Sequence, residues 1–413
     1  MISRASSTKI QTIAIIVLLV APVLALMGGF GVLWRFFVFL IVLLALSYLW
    51  ARLNIRNIEA TVEEIIGYYR VGEKLEERFT VFNTSKFPTP VLEIQEITDL
   101  PGYQNALTTI LSPRGSYKWR TLANLDRRGR YTLGALTVRL TDPLGLFSVS
   151  RQIGTNQKII VYPEVQELPF FQAVPRLEPG ASHRRWLTGE ISPNASRVRE
   201  YISGDSLQHI HWHSTAHTGV LMVKEFDPDR SNISCKNVWI FPDMHSSVRI
   251  GNGKETMEEY TIMIAASLTK KYIDAGKPVG MVVSGDRSHL FLPRTGEQQF
   301  RRILNALAQV EATGRIDIEH LMRAEMDRID TGSVVIVITS SGPWNIAPTL
   351  RRAINRGATV MVILLDSLSF GGRTGAAGVA RSLISSGIKV YVIKRGVDLS
   401  RALDSRTYAA YAR

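Results

Sequence analysis

Apolar and polar positions along the chain fall into three rhythms. The first is unbroken. From Ile10 to Met27 the sequence IQTIAIIVLLVAPVLALM carries no charge, with only Gln11 and Thr12 polar, and it is long enough to cross a hydrocarbon core. A second apolar run, Val32 to Trp50, holds one charge, Arg35, close enough to its end to snorkel. Gly28-Gly29-Phe30-Gly31 stands between them. Residues 1–53 therefore read as a transmembrane helical hairpin, with helices over about 10–29 and 32–51. A cleaved signal peptide fits less well, because the second run follows at once and no small-x-small cleavage site precedes it.

The second rhythm alternates. Arg78-Phe79-Thr80-Val81 and Leu136-Thr137-Val138-Arg139-Leu140-Thr141 place apolar side chains on every other position, and turn signals such as Pro101-Gly102, Ser112-Pro113-Arg114-Gly115 and Asp142-Pro143-Leu144-Gly145 recur. Residues 54–163 are expected to form an antiparallel β-sandwich. Between 164 and 195 proline and glycine recur without a period, as in PFFQAVPRLEPGASHRRWLTGEISPN, so this stretch reads as a linker with mobility around Pro179-Gly180-Ala181.

The third rhythm occupies residues 233–400. Val238-Trp239-Ile240-Phe241, Val279 to Val283, Val334 to Ile338, Thr359 to Leu365 and Val390 to Ile393 are short, β-branched runs of the kind buried on both faces. Helical stretches separate them. Glu255 to Ala275 sets Met257, Tyr260, Ile264, Leu268 and Tyr272 on one stripe, with Gly276 as its cap and Pro278 just beyond. The helix-glycine-strand ending recurs at Arg356-Gly357 and Ser386-Gly387. These steps predict a right-handed doubly wound α/β sheet, followed by a tail over 401–413. The whole is a membrane-anchored α/β plus all-β chain.

Charge and cysteine content narrow the setting. The formal net charge is +13, which calls for an anionic neighbour, and the single Cys235 excludes an intramolecular disulfide framework or a thiolate metal site. Arg4 and Lys9 flank one end of the expected hairpin and Arg52 and Arg56 the other. The positive-inside rule then puts both ends, and the soluble region, in the cytoplasm of a cell whose anionic inner leaflet is the neighbour.

Candidate chemistry concentrates in residues 196–232, at the junction of the second and third rhythms. Four of the eight histidines, His209, His211, His213 and His217, lie there with Trp212 and Gly204-Asp205. Extended, His209, His211 and His213 share a face suited to Zn; helical, His213 and His217 align one turn apart. Trp212 and Ile210 are expected as core anchors, making the segment a partly buried interdomain motif.

Tyr201, Gly204-Asp205, Ile210-His211-Trp212, Thr215-Ala216, Thr218-Gly219, Leu221 and Val223-Lys224-Glu225-Phe226 resemble the signature of the bacterial and archaeal family called domain of unknown function 58. His213 and His217 stand where that family commonly has Lys and Arg. The resemblance implies a partner, an AAA+ ATPase of the MoxR type. It also makes the third region similar to a von Willebrand factor A domain, whose aspartate-x-serine-x-serine loop holds Mg through hard oxygen ligands. Here that loop reads Asp243-Met244-His245-Ser246-Ser247 and the later one Thr339-Ser340-Ser341, so Asp243, His245, Ser247 and Ser340 form a degenerate set expected to serve protein contacts.

Other readings are thinner. No glycine-x-serine-x-glycine elbow exists, and Gly371 to Gly378 meets neither the phosphate-loop nor the dinucleotide pattern. Arginine pairs at 127–128, 184–185, 301–302 and 351–352 are scattered without interleaved aromatics, so no nucleic acid is expected. The expectation is a membrane-tethered scaffold or adaptor, not an enzyme. A metal-dependent enzyme using the histidines or Asp243 is the alternative, and a basic nucleic-acid or anionic-ligand binder the second.

Overall fold

The computed structural model describes residues 31–63, 67–171, 195–202, 210–226, 235–253, 255–340 and 346–404. The helix expected over 10–29, the mobility expected at Pro179-Gly180-Ala181, and Gly204, Asp205 and His209 lie outside the described residues. The chain divides into two compact units, Met1–Tyr162 and Pro163–Arg413.

The first unit opens with helix α1, Gly31–Asn54, which runs on into a single 3-10 turn, Ile55–Asn57. Among the described residues one helical stretch, Trp34–Asn57, is long and apolar enough to cross a membrane, with mean hydropathy 2.2. Its last turns are two-sided. Ser47, Ala51, Asn54 and Ile55, spaced as one helix face, are buried, whereas Leu46, Leu49 and Leu53 on the other side are half exposed.

Ten strands follow: β1 (Ile58–Val62), β2 (Tyr69–Arg70), β3 (Lys74–Asn83), β4 (Val91–Ile97), β5 (Ala106–Thr109), β6 (Ser116–Asn124), β7 (Gly129–Leu133), β8 (Ala135–Thr141), β9 (Ser148–Ile153) and β10 (Gln157–Tyr162). They form sheets ordered β1-β3-β6, β5-β4-β8-β9 and β2-β10-β7. Along β3 burial alternates residue by residue, as the sequence period requires. Phe79 and Val81 from the first sheet share a core with Leu92, Ile94, Leu136, Val138 and Leu140 from the second, so these two sheets face each other as a sandwich. Phe79 also stacks on Trp119 at 5.0 Å. A second core joins Leu75 and Ala123 to Tyr131, Leu133, Ile159 and Val161 of the third sheet. The ladders are antiparallel except one: β2 runs parallel to β10. Two residues of strand leave no alternation to read, which is why the sequence gives no sign of it.

The second unit begins earlier than the expected linker allows. Gln166 N–H donates to Ser267 Oγ at 2.9 Å, Lys271 Nζ donates to the Leu168 carbonyl at 2.6 Å, and Leu168 and Phe171 are buried. Two apolar anchors thus bind 164–171 to the α/β fold. Next come β11 (Ala195–Glu200), α2 (Trp212–Thr218) and β12 (Met222–Phe226). The main body is β13 (Val238–Pro242), the small hairpin β14 (Gly251–Asn252) and β15 (Glu255–Thr256), α3 (Met257–Asp274), β16 (Val279–Ser284), β17 (Ser288–Arg294), α4 (Glu297–Gln309), α5 (Ile318–Glu325), β18 (Val334–Ser340), α6 (Ala347–Asn355), β19 (Thr359–Leu365), α7 (Ala376–Ser385), β20 (Lys389–Ile393) and α8 (Leu399–Ala402).

Six strands make one sheet in the order β17-β16-β13-β18-β19-β20. All neighbours are parallel except β16 and β17. Numbered along the chain, that order is 3-2-1-4-5-6, and it reverses between β13 and β18. The strands β13, β16 and β18 are buried at every position, matching their unbroken apolar runs. Helix α3 starts where Thr256 Oγ1 accepts the Glu259 N–H at 3.2 Å and stops at Gly276, whose φ of +71° suits a residue without Cβ.

Candidate functional site

Two places in the second unit gather the residues that the sequence singled out. The first is the signature segment. Strands β11 and β12 pair antiparallel, setting Val198 against Lys224 and Arg197 against Glu225. The chain between them is closed by backbone: Tyr201 N–H donates to Leu221 O at 2.8 Å, His211 N–H to Met222 O at 2.7 Å, and Ile210 bridges Val223. His211 caps α2, its Nδ1 accepting the Ser214 N–H at 3.2 Å and lying 2.7 Å from Ser214 Oγ. Thr215 Oγ1 accepts the Met222 N–H at 3.0 Å, and Thr218 Oγ1 donates to Ser214 O at 2.9 Å. Gly219 ends the helix in the left-handed region. His211, Thr215 and Thr218 are therefore the hydrogen-bonding frame of a short, tightly tied helix.

That frame holds a large apolar side chain outward. Ile210 is buried, but Trp212 is 68% exposed, which corrects the expectation of two core anchors. The reason is the helix. A strand would have alternated sides, whereas α2 begins at Trp212 and buries none of its own residues. His213 and His217 lie one turn apart and both are exposed, and the His211 and His213 rings are 6.2 Å apart at their centres. The His211 ring nitrogen is engaged by Ser214 and His213 belongs to the helix, so these two do not share an extended face, and His209 lies outside the described residues.

The second place is the carboxyl edge of the sheet at its reversal point, where open α/β sheets bind ligands. Asp243 follows β13 directly and is 2% exposed. Its Oδ2 accepts the Thr339 hydroxyl from β18 at 2.7 Å, and its Oδ1 accepts the His245 N–H at 3.1 Å. Burial pushes the Asp243 carboxyl above the ordinary aspartate range, against the pull of these two donors and of the His245 ring, with Asp317 adding to the rise. Partial burial also works against the charge on Asp317, but the amide and ring of His320 outweigh it and hold that carboxyl low. The His245 ring turns to Ser247, with Nδ1 2.9 Å from Ser247 Oγ and accepting the Ser247 N–H at 3.2 Å. Ser340 is buried at the end of β18.

Asp243, Thr339, His245, Ser247 and Ser340 are thus gathered at one edge, but Asp243 already accepts a hydrogen bond on each oxygen. Among the described residues no group of three or more His, Cys, Asp and Glu side chains is placed to hold a metal ion. Asp243 is the one carboxylate in the set Asp243, His245, Ser247 and Ser340, so the set offers few of the hard oxygen ligands that Mg²⁺ takes.

Sequence reasoning missed Gly314. Its N–H donates to Met244 O at 3.1 Å, its O accepts the Ser246 N–H at 3.0 Å, and a Cβ on it would meet Ser284 O at 2.4 Å and Met244 O at 2.8 Å. It closes the floor beneath the Asp243 loop, and a lone glycine in an irregular stretch gave no signal. The Gly371–Gly378 stretch is also settled: Asp366 Oδ1 accepts the Ala376 N–H at 2.8 Å, so a carboxylate already occupies the helix start where a phosphate would sit. A cleft of about 410 Å³ is lined by Arg323, Asp327, Arg352 and Arg356 among others, yet Arg323 pairs with Glu319 at 2.5 Å and Arg356 with Asp327 at 2.7 Å. Most of its charge is compensated.

Known proteins add similarity of sequence. Among solved structures, the proximal thread matrix protein 1 of mussel byssus shares 14% identity over 41% of this chain and 47% of its own, with a TM-score of 0.30. A CARDB domain from Pyrococcus furiosus shares 13% over 24% of this chain and 85% of its own, with a TM-score of 0.18. Likeness at that level carries no argument. The uncharacterized protein YeaD of Bacillus subtilis strain 168 is 25% identical over 308 residues, 73% of this chain and 74% of the relative. Residues 197–369, from β11 to just past β19, match the family described as "Protein of unknown function DUF58".

Proposed function

We propose that this chain is a membrane-tethered protein-interaction scaffold whose signature segment is the recognition surface and whose partner is a MoxR-type AAA+ ATPase. The observation that carries the reading is the outward Trp212. An indole is large and apolar, and one fixed at the surface by a hydrogen-bonded frame is the kind of anchor that dominates protein interfaces. Ile202, Val220 and Leu221 are exposed in the same segment. The frame needs no partner to form, so the anchor is presented in advance and little ordering opposes binding.

The tether is α1, together with the apolar run that precedes it in sequence, as two spans with the soluble region on the cytoplasmic side. The bare leucines of α1 and the flanking Arg52 and Arg56 support this arrangement. The strand order 3-2-1-4-5-6 with an antiparallel third strand supports a von Willebrand factor A-like α/β unit, and the buried Asp243 makes its carboxyl edge a protein contact rather than a metal site.

The test is co-purification of the ATPase from detergent-solubilised membranes with the wild-type chain, Trp212→Ala and the edge-strand control His289→Ala. A loss of at least about tenfold in recovery for Trp212→Ala alone is expected of an interface anchor. Equal recovery from all three would remove the reading.

A further inference from the structure

The turn between β8 and β9 sits beside the last turns of α1. The Ser47 hydroxyl donates to Asp142 Oδ2, and the Tyr48 and Phe147 rings meet edge to face at 5.7 Å. Asp142 is buried and ties the turn shut: Oδ1 accepts the Phe147 N–H at 2.6 Å, Oδ2 accepts the Leu144 N–H at 3.1 Å, and the Asp142 carbonyl accepts the Gly145 N–H at 3.0 Å. Gly145 takes φ +73°, which closes the turn without strain. What this knot holds outward is apolar. Leu144 is 49% exposed at the tip, with Pro143 exposed before it and Leu146 and Phe147 partly exposed after it.

We propose that this turn, Asp142 to Phe147, inserts into the bilayer surface as a second membrane contact of the sandwich. The inference rests on the reading of α1 as a membrane span. Depth follows from helix geometry. If Arg52, the first charge beyond the apolar run, sits among the headgroups, Tyr48 lies four residues inward, about 6 Å along the axis at 1.5 Å per residue. The headgroup zone is only about 5–7 Å deep on each side. A tip packed beside Ser47 and Tyr48 therefore reaches the boundary of headgroups and acyl chains, where Leu and aromatic rings are stabilised. Charge agrees. Arg151 on β9 donates to the Arg56 carbonyl at 3.3 Å, so Arg52, Arg56 and Arg151, all exposed, share this end of the unit and match anionic headgroups. The buried Asp142 completes the design by satisfying the backbone donors that a tight turn would otherwise bring into lipid.

Depth-resolved quenching tests this on the full chain carrying Cys235→Ser, reconstituted in vesicles of phosphatidylcholine and phosphatidylglycerol. An environment-sensitive fluorophore goes on Leu144→Cys, on Phe39→Cys within α1, or on Thr155→Cys at the opposite end of the sandwich. Nitroxide lipids labelled at shallow or deep acyl positions are the quenchers. The expected result is severalfold quenching at position 144 by the shallow label, at 39 by the deep label, and none at 155. If 39 is quenched while 144 behaves like 155, the inserted turn is overturned and the tether stands. If neither 39 nor 144 is quenched, both fall.

Discussion

In the sandwich, Glu77 and Glu96 are 1% and 5% exposed, with the Tyr103 hydroxyl 2.6 Å from one and 3.3 Å from the other. In the α/β unit, Asp243 is equally buried, yet its neighbours are the Thr339 hydroxyl at the end of β18 and the backbone amide of His245 in the loop after β13. The first pair is made by strands and answers to its own like charge. Burial first, then the charge of Glu96, lifts Glu77 to about 7 despite the Tyr103 hydrogen bond, and Glu77 Oε1 has no hydrogen-bond partner among the described residues. The second carboxylate has a donor on each oxygen, and the charge of Asp317 adds only the last part of its rise. A buried carboxylate in a strand-lined interior tunes proton binding and stability, while one at a loop-built edge shapes a surface that another molecule can meet.

Substitution at the sheet edge should cost the most stability. Gly314→Val drives a branched side chain into the carbonyls of Ser284 and Met244, and urea unfolding should show a loss of about 3 kcal/mol or more. A loss below about 1 kcal/mol would mean that the loops under Asp243 yield easily.

In the sandwich interior, stability depends on pH. Glu77 has a folded value above its ordinary 4.5. The stability it contributes is whole below about pH 4.5 and is lost as pH rises through about 7. Unfolding from pH 5 to pH 8 should therefore show the sandwich weakening by on the order of 2–3 kcal/mol, and Glu77→Gln should flatten the slope. An unchanged slope in Glu77→Gln would assign the pH dependence to other groups.

Asp243→Ala leaves the Thr339 hydroxyl and the His245 amide without their acceptor and should cost about 1–3 kcal/mol. Asp243→Asn keeps an acceptor oxygen and should cost less than about 1 kcal/mol in the same assay. Equal losses would mean that the charge itself, not the acceptor, holds the edge. Smallest is His211→Ala, which removes the cap of α2 and should cost about 0.5–1.5 kcal/mol, read as faster amide exchange at Ser214 and Thr215.

Much of the architecture was legible because its residues repeat. Alternation around Phe79 and Leu136 to Leu140 marks half-buried strands, and β-branched runs at Val238 and Val334 mark strands covered on both faces. The Gly276 stop was readable because a positive φ favours a residue without Cβ. The candidate site was less legible. Asp243, Thr339 and Ser340 could be named from their loops, but nothing local says that both Asp243 oxygens are engaged or that Gly314 lies under them. Trp212 was misjudged because a short helix starts at it where a strand was expected, and that helix buries none of its residues.

Periodicity and turn residues act over a few positions, and they already specify the apolar helix, the succession of β and α/β regions, and the place of the signature between them. That Trp212 faces out, that Glu77 meets Glu96, and that the Asp142 turn lies against α1 emerges only on folding. Those facts depend on residues brought together across loops and strands, as Ser47 and Asp142 are, and short-range pattern carries no record of such pairings.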